Sequence, residues 1–264
     1  MMTRLLAAGV GLAIILPAIV LGGVVAAEVL VGIAGLIITI EYAYMAYPDD
    51  KVVMSVVQII AVVGVSATVL HVPQYGLVTT IALVTGVLAL QTLRPGEDLE
   101  RSADRAGRLV LGTGWVVLLT SLVLLRREEH GLAWVFLVLE IAWIGDTGAY
   151  FAGRFFGRTP LYERISPKKT WEGVAGGVVA ATIGVFVVRE LGELPLTNVE
   201  CLVIGPILTL VGVLGDLCES MLKRSFSVKD SGWIMPGHGG LLDRVDSVLF
   251  VGPWLYAWVR IMEA

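Results

Sequence analysis

Long apolar runs that alternate with short charged segments constrain the fold of this chain more than any other feature. A helix needs about 20 apolar residues to cross a bilayer, and runs of this length recur along the whole sequence. They begin near Leu5, Val25, Val52, Tyr75, Leu109, Leu132, Trp171, Cys201 and Asp243. Hydrophobic residues make up 56% of the 264 residues and charged residues 16%, a composition too apolar for an ordinary soluble domain.

We therefore predict an all-α polytopic membrane protein with about nine transmembrane helices, in which residues 1–264 form a single transmembrane domain. The first two runs are nearly continuous and the last begins with carboxylates, so the helix boundaries are least defined there. The first run has no polar segment before a cleavage site, which favours a spanning helix over a signal peptide. Between the fourth and fifth runs, Asp104 and Arg108 have the i,i+4 spacing of a short surface helix, which we expect to be a solvated connector.

The distribution of basic residues predicts the orientation in the membrane, because short cytoplasmic loops are rich in Lys and Arg. When the chain alternates sides through nine helices, most of the 19 Lys and Arg residues fall on one side. The exceptions are Arg126, Arg127, Arg189 and Arg260. We therefore expect a multi-pass protein of the cell membrane with a cytoplasmic N-terminus and an outer C-terminus. The small net charge of -4 gives no indication of nucleic-acid binding.

Five carboxylates lie within or beside apolar runs near the predicted cytoplasmic face: Asp146, Asp216, Glu219, Asp243 and Asp246. An Asp at the bilayer centre costs about 2.5–3.5 kcal/mol on insertion scales, so it is retained where it is partnered or functional. Asp216 and Asp243 belong to consecutive helices and should lie at similar depth. Converging carboxylates suit Mg²⁺, but a buried network of salt bridges explains them equally well, and the carboxylates alone leave both alternatives open.

The loop that joins these two helices is rich in basic residues and glycine. It and its flanks contain Lys223, Arg224, Lys229, Asp230, His238, Gly239, Gly240 and Arg244. Glycines let backbone N–H groups approach a phosphate, and the start of a helix adds a dipole that favours an anion. Together with the adjacent carboxylates, this composition predicts polyphosphate binding. A single His in a glycine-rich turn could bind phosphate or only shape the loop, and the sequence leaves both open.

A second basic segment precedes the seventh run on the same predicted side. Ser166 is predicted to cap a helix with Pro167 at its first position, which would place Lys168 and Lys169 at a helix N-terminus. Cations are unfavourable there unless an anion lies between them and the helix, so Lys169 is predicted to contact a ligand. The arginines of this segment are equally explained by the positive-inside rule. No Ser/His/Asp set or Cys nucleophile points to a covalent intermediate.

The charged residues form one motif of fixed spacing. It reads Ser220-x-x-Lys223-Arg224, four residues, Lys229-Asp230-x-Gly232, three residues, Pro236-Gly237-His238-Gly239-Gly240-x-x-Asp243-Arg244-x-Asp246. Two segments precede it, Asp146-Thr147-x-Ala149-Tyr150 and Ser166-Pro167-Lys168-Lys169-Thr170-x-Glu172-Gly173. Together they resemble the phosphatidate cytidylyltransferase (CDP-diacylglycerol synthase) family from about Trp143 to the C-terminus, whereas the earlier helices match only in hydropathy. The resemblance implies scaffold helices in residues 1–130 and catalytic helices and cytoplasmic loops in residues 131–264.

What the resemblance implies is an Mg²⁺-dependent nucleotidyltransferase of phospholipid biosynthesis that joins CTP and phosphatidic acid, with K⁺ as a further candidate ion. By that resemblance the metal ligands are Asp216 and Asp243, followed by Asp246 and Glu219. The implied catalytic residues are Asp216, Asp243, Lys223, Lys229 and Asp146, the last orienting a basic group or binding a second ion. The implied substrate-binding residues are Lys169, Ser166, Arg224, Asp230, His238, Gly239, Gly240 and Arg244.

Two other functions are compatible with intramembrane carboxylates. A CTP-dependent polyprenol or dolichol kinase would transfer the γ-phosphoryl group to an alcohol and would need a base near the hydroxyl. An ion-coupled transporter would show inverted repeats with broken helices in matching halves, whereas here the acids crowd one end of the chain. The spaced Asp-Gly and three-Asp pattern of CDP-alcohol phosphotransferases does not occur. Gly9 and Gly11 permit close helix packing, which leaves a homodimer open.

Overall fold

The computed structural model describes residues 17, 19–92, 99–232 and 239–262, and these residues are predominantly helical. A single 3₁₀ turn, Pro73–Tyr75, joins the second and third helices. The helices are α1 Gly23–Ala46, α2 Lys51–His71, α3 Gly76–Thr92, α4 Leu99–Val117, α5 Thr120–Arg127, α6 Gly131–Phe156, α7 Trp171–Gly192, α8 Asn198–Ser225 and α9 Leu242–Met262. Two short strands, β1 Pro160–Tyr162 and β2 Ser166–Thr170, lie between α6 and α7.

The prediction of an all-α membrane protein is confirmed at this coarse level. Within the described residues, six helices are long and apolar enough to cross a membrane. They are Gly23–Ala46, Lys51–His71, Ser102–Arg127, Gly131–Phe156, Trp171–Gly192 and Asn198–Ser225. The third of these spans combines most of α4 with α5. The predicted runs near Tyr75 and Asp243 are also helical, as α3 and α9, but α3 is short and α9 begins with charged residues. Most of the run predicted from Leu5 lies outside the described residues.

The polar segment before the fifth run differs from its prediction. The i,i+4 ion pair forms, with Arg108 Nη2 2.6 Å from Asp104 Oδ2, but the helix that carries it is not a separate surface connector. It is the beginning of α4, which continues to Val117 and, after a turn at Leu118 and Leu119, into α5. The reason is tertiary contact: the Tyr42 hydroxyl donates a 2.9 Å hydrogen bond to the Arg108 carbonyl, which fixes this segment against α1.

The long helices of the C-terminal half pack side by side in chain order, α6 on α7, α7 on α8 and α8 on α9. The closest approach is between α6 and α7. A Cβ atom added at Gly176 would lie 2.1 Å from the Ala152 Cβ atom, and one at Gly148 would lie 2.5 Å from the Ala180 Cβ atom. Small residues therefore let these two helices come together along their length, as is common in membrane proteins.

Buried side chains form two clusters, and the second packs the N-terminal helices against α8 and α9. The first cluster fills the space among α6 to α9 with residues such as Leu137 and Ile204. The second contains Tyr42 from α1 and Leu109 from α4 together with Leu222 of α8 and Leu249 of α9. Because the N-terminal helices pack on the ends of α8 and α9, they are in a position to influence the loop between those helices.

The structure contradicts the predicted helix start at Ser166. Residues Ser166–Thr170 form β2, which pairs antiparallel with β1, and α7 begins at Trp171. The cap is Thr170, whose backbone is extended and whose side chain accepts a 3.1 Å hydrogen bond from the Gly173 N–H group. Thr is also a favourable N-cap residue, and Pro167 is compatible with a strand in a two-stranded ribbon, where both strands are edges.

Candidate active site

Four elements bring their charged residues to the same end of the helix bundle. Asp146 lies towards the end of α6 and Asp216 towards the end of α8, whereas Lys169 precedes α7 and Asp243 opens α9. Neighbouring helices run in opposite directions, so the ends of α6 and α8 meet the beginnings of α7 and α9. This arrangement gathers residues from positions 146 to 246 into one region.

A cavity of about 440 Å³ opens in this region. Its polar lining includes Asp146, Arg154, Ser166, Lys169 and Asp216, and Lys168 also contributes. The Lys169 ammonium forms an ion pair with Asp216 Oδ2, and the Ser220 hydroxyl lies 3.3 Å from Asp216 Oδ1. Arg154 Nη1 donates a 2.8 Å hydrogen bond to the Tyr150 hydroxyl on the same wall. The cavity thus presents both basic and acidic groups to anything that enters it.

Three of the predicted carboxylates form one electrostatic group. Asp146, Asp216 and Asp246 lie close enough to act on one another, and Lys169 also acts on the group. Arg244 acts on Asp146. Asp246 is buried, and its Oδ1 atom accepts a 2.7 Å hydrogen bond from the Ser247 N–H group. Like charges gathered at low dielectric repel one another strongly, so either a proton or an additional cation would stabilise this group.

The other two carboxylates share a lysine. Lys223 Nζ lies 2.5 Å from Asp243 Oδ1 and 2.5 Å from Glu219 Oε2. The contact with Glu219 is a close charge contact without hydrogen-bond alignment. Asp243 Oδ2 accepts three further hydrogen bonds, from Ser231 N at 2.9 Å, Ser231 Oγ at 2.8 Å and Gly240 N at 2.8 Å. Asp243 is therefore the anchor of the loop before α9.

The predicted metal ligands are thus divided between the two groups, Asp216 and Asp246 in one and Asp243 and Glu219 in the other. Among the described residues, no three His, Cys, Asp or Glu side chains already converge as a metal-binding group. Mg²⁺ needs only one or two carboxylates, because water and substrate phosphates complete its shell. The first group offers such a donor set beside the cavity, so its chemistry fits the ion.

The remaining predicted residues lie on or near the loop before α9. Arg224, Lys229 and Asp230 are exposed, and Arg224 Nη1 lies 3.5 Å from the Val228 carbonyl oxygen. Gly239 has a φ of +79°, a conformation that favours glycine, and the Gly240 N–H group binds Asp243. His238 lies outside the described residues. The predictions of substrate contacts for these residues stay predictions.

Sequence reasoning assigned no role to two carboxylates that hold the site together: Glu41, which it did not single out, and Glu172, which it only quoted within a motif. Glu41 of α1 is only 4% exposed and accepts hydrogen bonds from Leu241 N at 2.9 Å and Leu242 N at 3.0 Å. Glu172 of α7 accepts hydrogen bonds from the N–H groups of Arg158 and Thr159, at 3.1 and 3.2 Å. The argument applied to Asp146, an acid in an apolar run, would also have identified Glu41.

Comparisons with known proteins identify the family to which the chain is similar. A family model described as the cytidylyltransferase family matches residues 2–262. The phosphatidate cytidylyltransferase of Bacillus subtilis (strain 168) is 47% identical over 129 residues, 49% of this chain and 48% of that protein. That of Staphylococcus saprophyticus is 44% identical over 132 residues, 50% of this chain and 51% of that protein. That of Thermotoga maritima is 36% identical over 189 residues, 70% of this chain and 69% of that protein.

The chain thus spans about half the length of the first two of these relatives and more than two thirds of the third. The family model extends well beyond the C-terminal segment in which the motifs lie. It includes the N-terminal helices, one of which contributes Glu41 to the loop before α9. The chain belongs to the cytidylyltransferase family.

Proposed function

We propose that this chain is a phosphatidate cytidylyltransferase, which converts CTP and phosphatidic acid into CDP-diacylglycerol and pyrophosphate. The observation that carries the proposal is the cavity in which Lys168 and Lys169 face Asp146 and Asp216 at one end of the membrane helices. A basic and acidic cavity at this depth suits a lipid phosphate and a nucleotide triphosphate. The names of the relatives support the same substrates.

The reaction would be an in-line displacement at the α-phosphorus of CTP. A phosphatidate oxygen forms the new O–P bond, and the bond between the α-phosphorus and the bridging oxygen to the β-phosphate breaks, so that pyrophosphate leaves with that electron pair. No general base is required, because the attacking phosphate oxygen is already ionised at neutral pH. The positioning of the reacting groups and the neutralisation of charge would supply most of the acceleration.

Lys169 would exchange its partner during binding. In the described arrangement its ammonium pairs with Asp216, and a substrate phosphate entering the cavity would compete for the same ammonium. Lys223 is held by two carboxylates and would present a fixed positive charge below the loop. Lys229, Arg224 and Arg244 would contact the triphosphate from the exposed side of the loop.

The residues that would hold Mg²⁺ are Asp216 with Asp146 or Asp246, while Asp243 and Glu219 would have to release Lys223 to bind an ion. A bound Mg²⁺ supplies charge neutralisation on the departing pyrophosphate. The same carboxylates leave K⁺ as a second candidate ion. Activity that disappears with a chelator and returns with Mg²⁺ would support this assignment.

We also propose nine transmembrane helices with the site at the cytoplasmic face of the cell membrane. The four arginines predicted outside support this orientation, because all four lie at the opposite end of the bundle, where Arg127 pairs with Glu28. Arg126 lines a cavity with Gly192, and Arg260 Nη1 lies 3.6 Å from Glu128 Oε2, while Arg189 is in the last turn of α7. Gly9 and Gly11 of the first predicted helix lie outside the described residues; because such glycines permit close helix packing, a homodimer is the proposed assembly.

The decisive experiment supplies purified protein in detergent with phosphatidic acid, Mg²⁺ and CTP labelled separately at its α- and γ-phosphates. We expect chloroform-soluble label from the α position only, with release of pyrophosphate. Lipid labelled only from the γ position, on an alcohol acceptor, would identify a kinase. No labelling of any lipid would contradict both enzymes and would direct attention to ion transport.

A further inference from the structure

The start of α9 is capped by a carboxylate from the other half of the chain. Glu41 lies near the end of α1, and its two oxygens accept hydrogen bonds from Leu241 N and Leu242 N. The first N–H groups of a helix have no partner within the helix, and the positive end of the helix dipole favours a carboxylate. Glu41 therefore accepts the hydrogen bonds that a local N-cap residue would normally accept at the start of α9.

Two glycines of the loop make room for this carboxylate. A Cβ atom at Gly232 would lie 2.6 Å from Glu41 Oε1, and a Cβ atom at Gly240 would lie 2.6 Å from Glu41 Oε2. Both distances are too short for a real side chain, so the loop backbone packs directly on the carboxylate. Glycines of this loop predicted phosphate binding in the sequence. The structure shows that glycine is also needed at these two positions to make room for Glu41.

The capped segment is also the segment that Asp243 anchors. Ser231 Oγ lies 2.8 Å from Asp243 Oδ2 and 3.4 Å from Glu41 Oε2. A hydroxyl has one proton to donate, and the shorter distance assigns it to Asp243. Glu41 and Asp243 thus hold the same loop from opposite sides, and Asp243 is in turn bound to Lys223.

We propose that Glu41 is a positioning residue of this enzyme: by capping α9 it sets the place of Asp243 and Lys223 relative to the cavity. The expected effect on turnover rests on the proposed transferase function, whereas the capping of α9 by Glu41 does not. An apolar residue could fill the same space, but it would leave the amides of Leu241 and Leu242 without an acceptor. The N-terminal half of the chain would then help to set the geometry of the active site.

The test is Glu41→Gln, which keeps the size of the side chain but replaces one acceptor oxygen with a donor. We expect kcat to fall about tenfold or more, because one charge-assisted hydrogen bond at the cap is lost. The KM for CTP should change by less than about threefold, because Glu41 is not among the residues that line the cavity. Hydrogen exchange, followed by mass spectrometry, should accelerate in peptides that include Leu241 and Leu242 and not in peptides from α7.

The matched control is Glu28→Gln on the same helix. Glu28 Oε1 lies 2.5 Å from Arg127 Nη2 at the other end of the bundle, so this change should leave kcat and exchange at the start of α9 unaltered. Glu41→Asp keeps the charge with a shorter reach, and it should recover part of kcat. It also provides a second variant if Glu41→Gln does not fold.

Normal kcat in Glu41→Gln, or faster exchange throughout the chain instead of at α9, would overturn the positioning role. A lower kcat that Glu41→Asp does not improve, with unchanged exchange at Leu241 and Leu242, would also overturn it. An inactive wild-type protein would overturn the proposed function alone, because the exchange measurement tests the cap without turnover.

Discussion

Charge compensation decides the arrangement of single residues in this protein. Lys169 lies beside Asp216, and Lys223 lies between Glu219 and Asp243. Each lysine neutralises carboxylates whose charge would otherwise be costly to bury. The two explanations of the acids, a salt network and a cation site, are therefore not exclusive. In such a network a lysine can exchange its carboxylate for a substrate phosphate, and a carboxylate can exchange its lysine for a metal ion.

We expect Asp216→Asn to lower kcat/KM by about a hundredfold or more, because the variant loses the charge that holds Lys169 and any cation in the cavity. Asp49→Asn is the matched control. Asp49 is exposed in the loop between α1 and α2, and its replacement should leave activity within about twofold of the wild type. Equal losses in the two variants would show that Asp216 has no special role.

Lys223→Ala should destabilise the fold as well as reduce activity. The side chains of Glu219 and Asp243 are 1% and 9% exposed, and without Lys223 both would be buried without their counter-charge. Removal of one partner from a buried pair typically costs about 3–5 kcal/mol. The double variant Lys223→Met with Glu219→Gln should regain part of the free energy of unfolding, measured by reversible denaturation in mixed micelles. A Lys223→Ala variant as stable as the wild type would show that Lys223 does not stabilise the fold through these carboxylates.

At the residue scale, sequence spacing identified the charged positions but not their partners. Asp216 and Asp243 were expected to converge from consecutive helices. In the structure Asp216 instead lies near Asp146 and Asp246, whereas Asp243 binds Lys223 and the loop backbone. Spacing fixes the face of a helix, but the partner across the bundle depends on packing. The partners of Glu41 lie 200 and 201 residues away, beyond the reach of any local pattern.

Among the elements, the pair α6 and α7 positions both walls of the cavity. Asp146 and Arg154 lie on α6, and Lys169 leads into α7, so the separation of these helices sets the width of the site. Glu172 adds a local constraint, because it ties the backbone of Arg158 and Thr159 to the first turn of α7. The strands β1 and β2 are held in place by these contacts and by the Thr170 cap.

We expect Gly176→Leu to push α6 and α7 apart and to destabilise the protein by about 1–3 kcal/mol, the usual cost of overpacking. Gly64→Leu on α2 is the control, because a Cβ atom at Gly64 meets no other atom within 4 Å. The midpoint of thermal unfolding in detergent should fall for Gly176→Leu only. A fall of similar size in both variants would show that leucine itself, and not the contact between α6 and α7, lowers the midpoint of unfolding.

The sequence predicted the elements better than their boundaries. Eight of the nine apolar runs correspond to described helices, because hydropathy over a full span is a strong signal. The predicted cap of α7 was wrong by four residues, since Ser166-Pro167 and Thr170 both satisfy the local rules for a helix start. The choice between them depends on the pairing of β1 with β2, and that pairing is a tertiary contact.

At the scale of the whole molecule, the predicted orientation can be tested by labelling single cysteines. The native Cys201 and Cys218 are first replaced, and Cys is then introduced at Asp49 or at Glu129, both of which are exposed. A membrane-impermeant thiol reagent should label position 129 in intact spheroplasts and position 49 only in inverted vesicles. The reverse pattern would invert the topology and place the cavity on the outer face.

The division into scaffold residues 1–130 and catalytic residues 131–264 stays a prediction, but the two parts are not independent in the structure. Tyr42 and Leu109 share a buried cluster with Leu222 and Leu249. The Tyr42 ring also packs edge-on against Phe226, with the ring centroids 6.0 Å apart. Hydropathy alone does not show this connection, because apolar helices satisfy the same pattern whichever helix they contact.

The contact between Glu41 and the start of α9 has a consequence for biogenesis. The ribosome adds about 5–20 residues per second, so the 200 residues that separate Glu41 from Leu241 take roughly 10–40 s to synthesise. During this interval α1 enters the membrane before its hydrogen-bond donors exist. The carboxyl group must then remain near water or the lipid headgroups, because a carboxyl group without partners is costly in the bilayer. Closure of the loop over Glu41 is consequently among the last events in the assembly of the nascent chain.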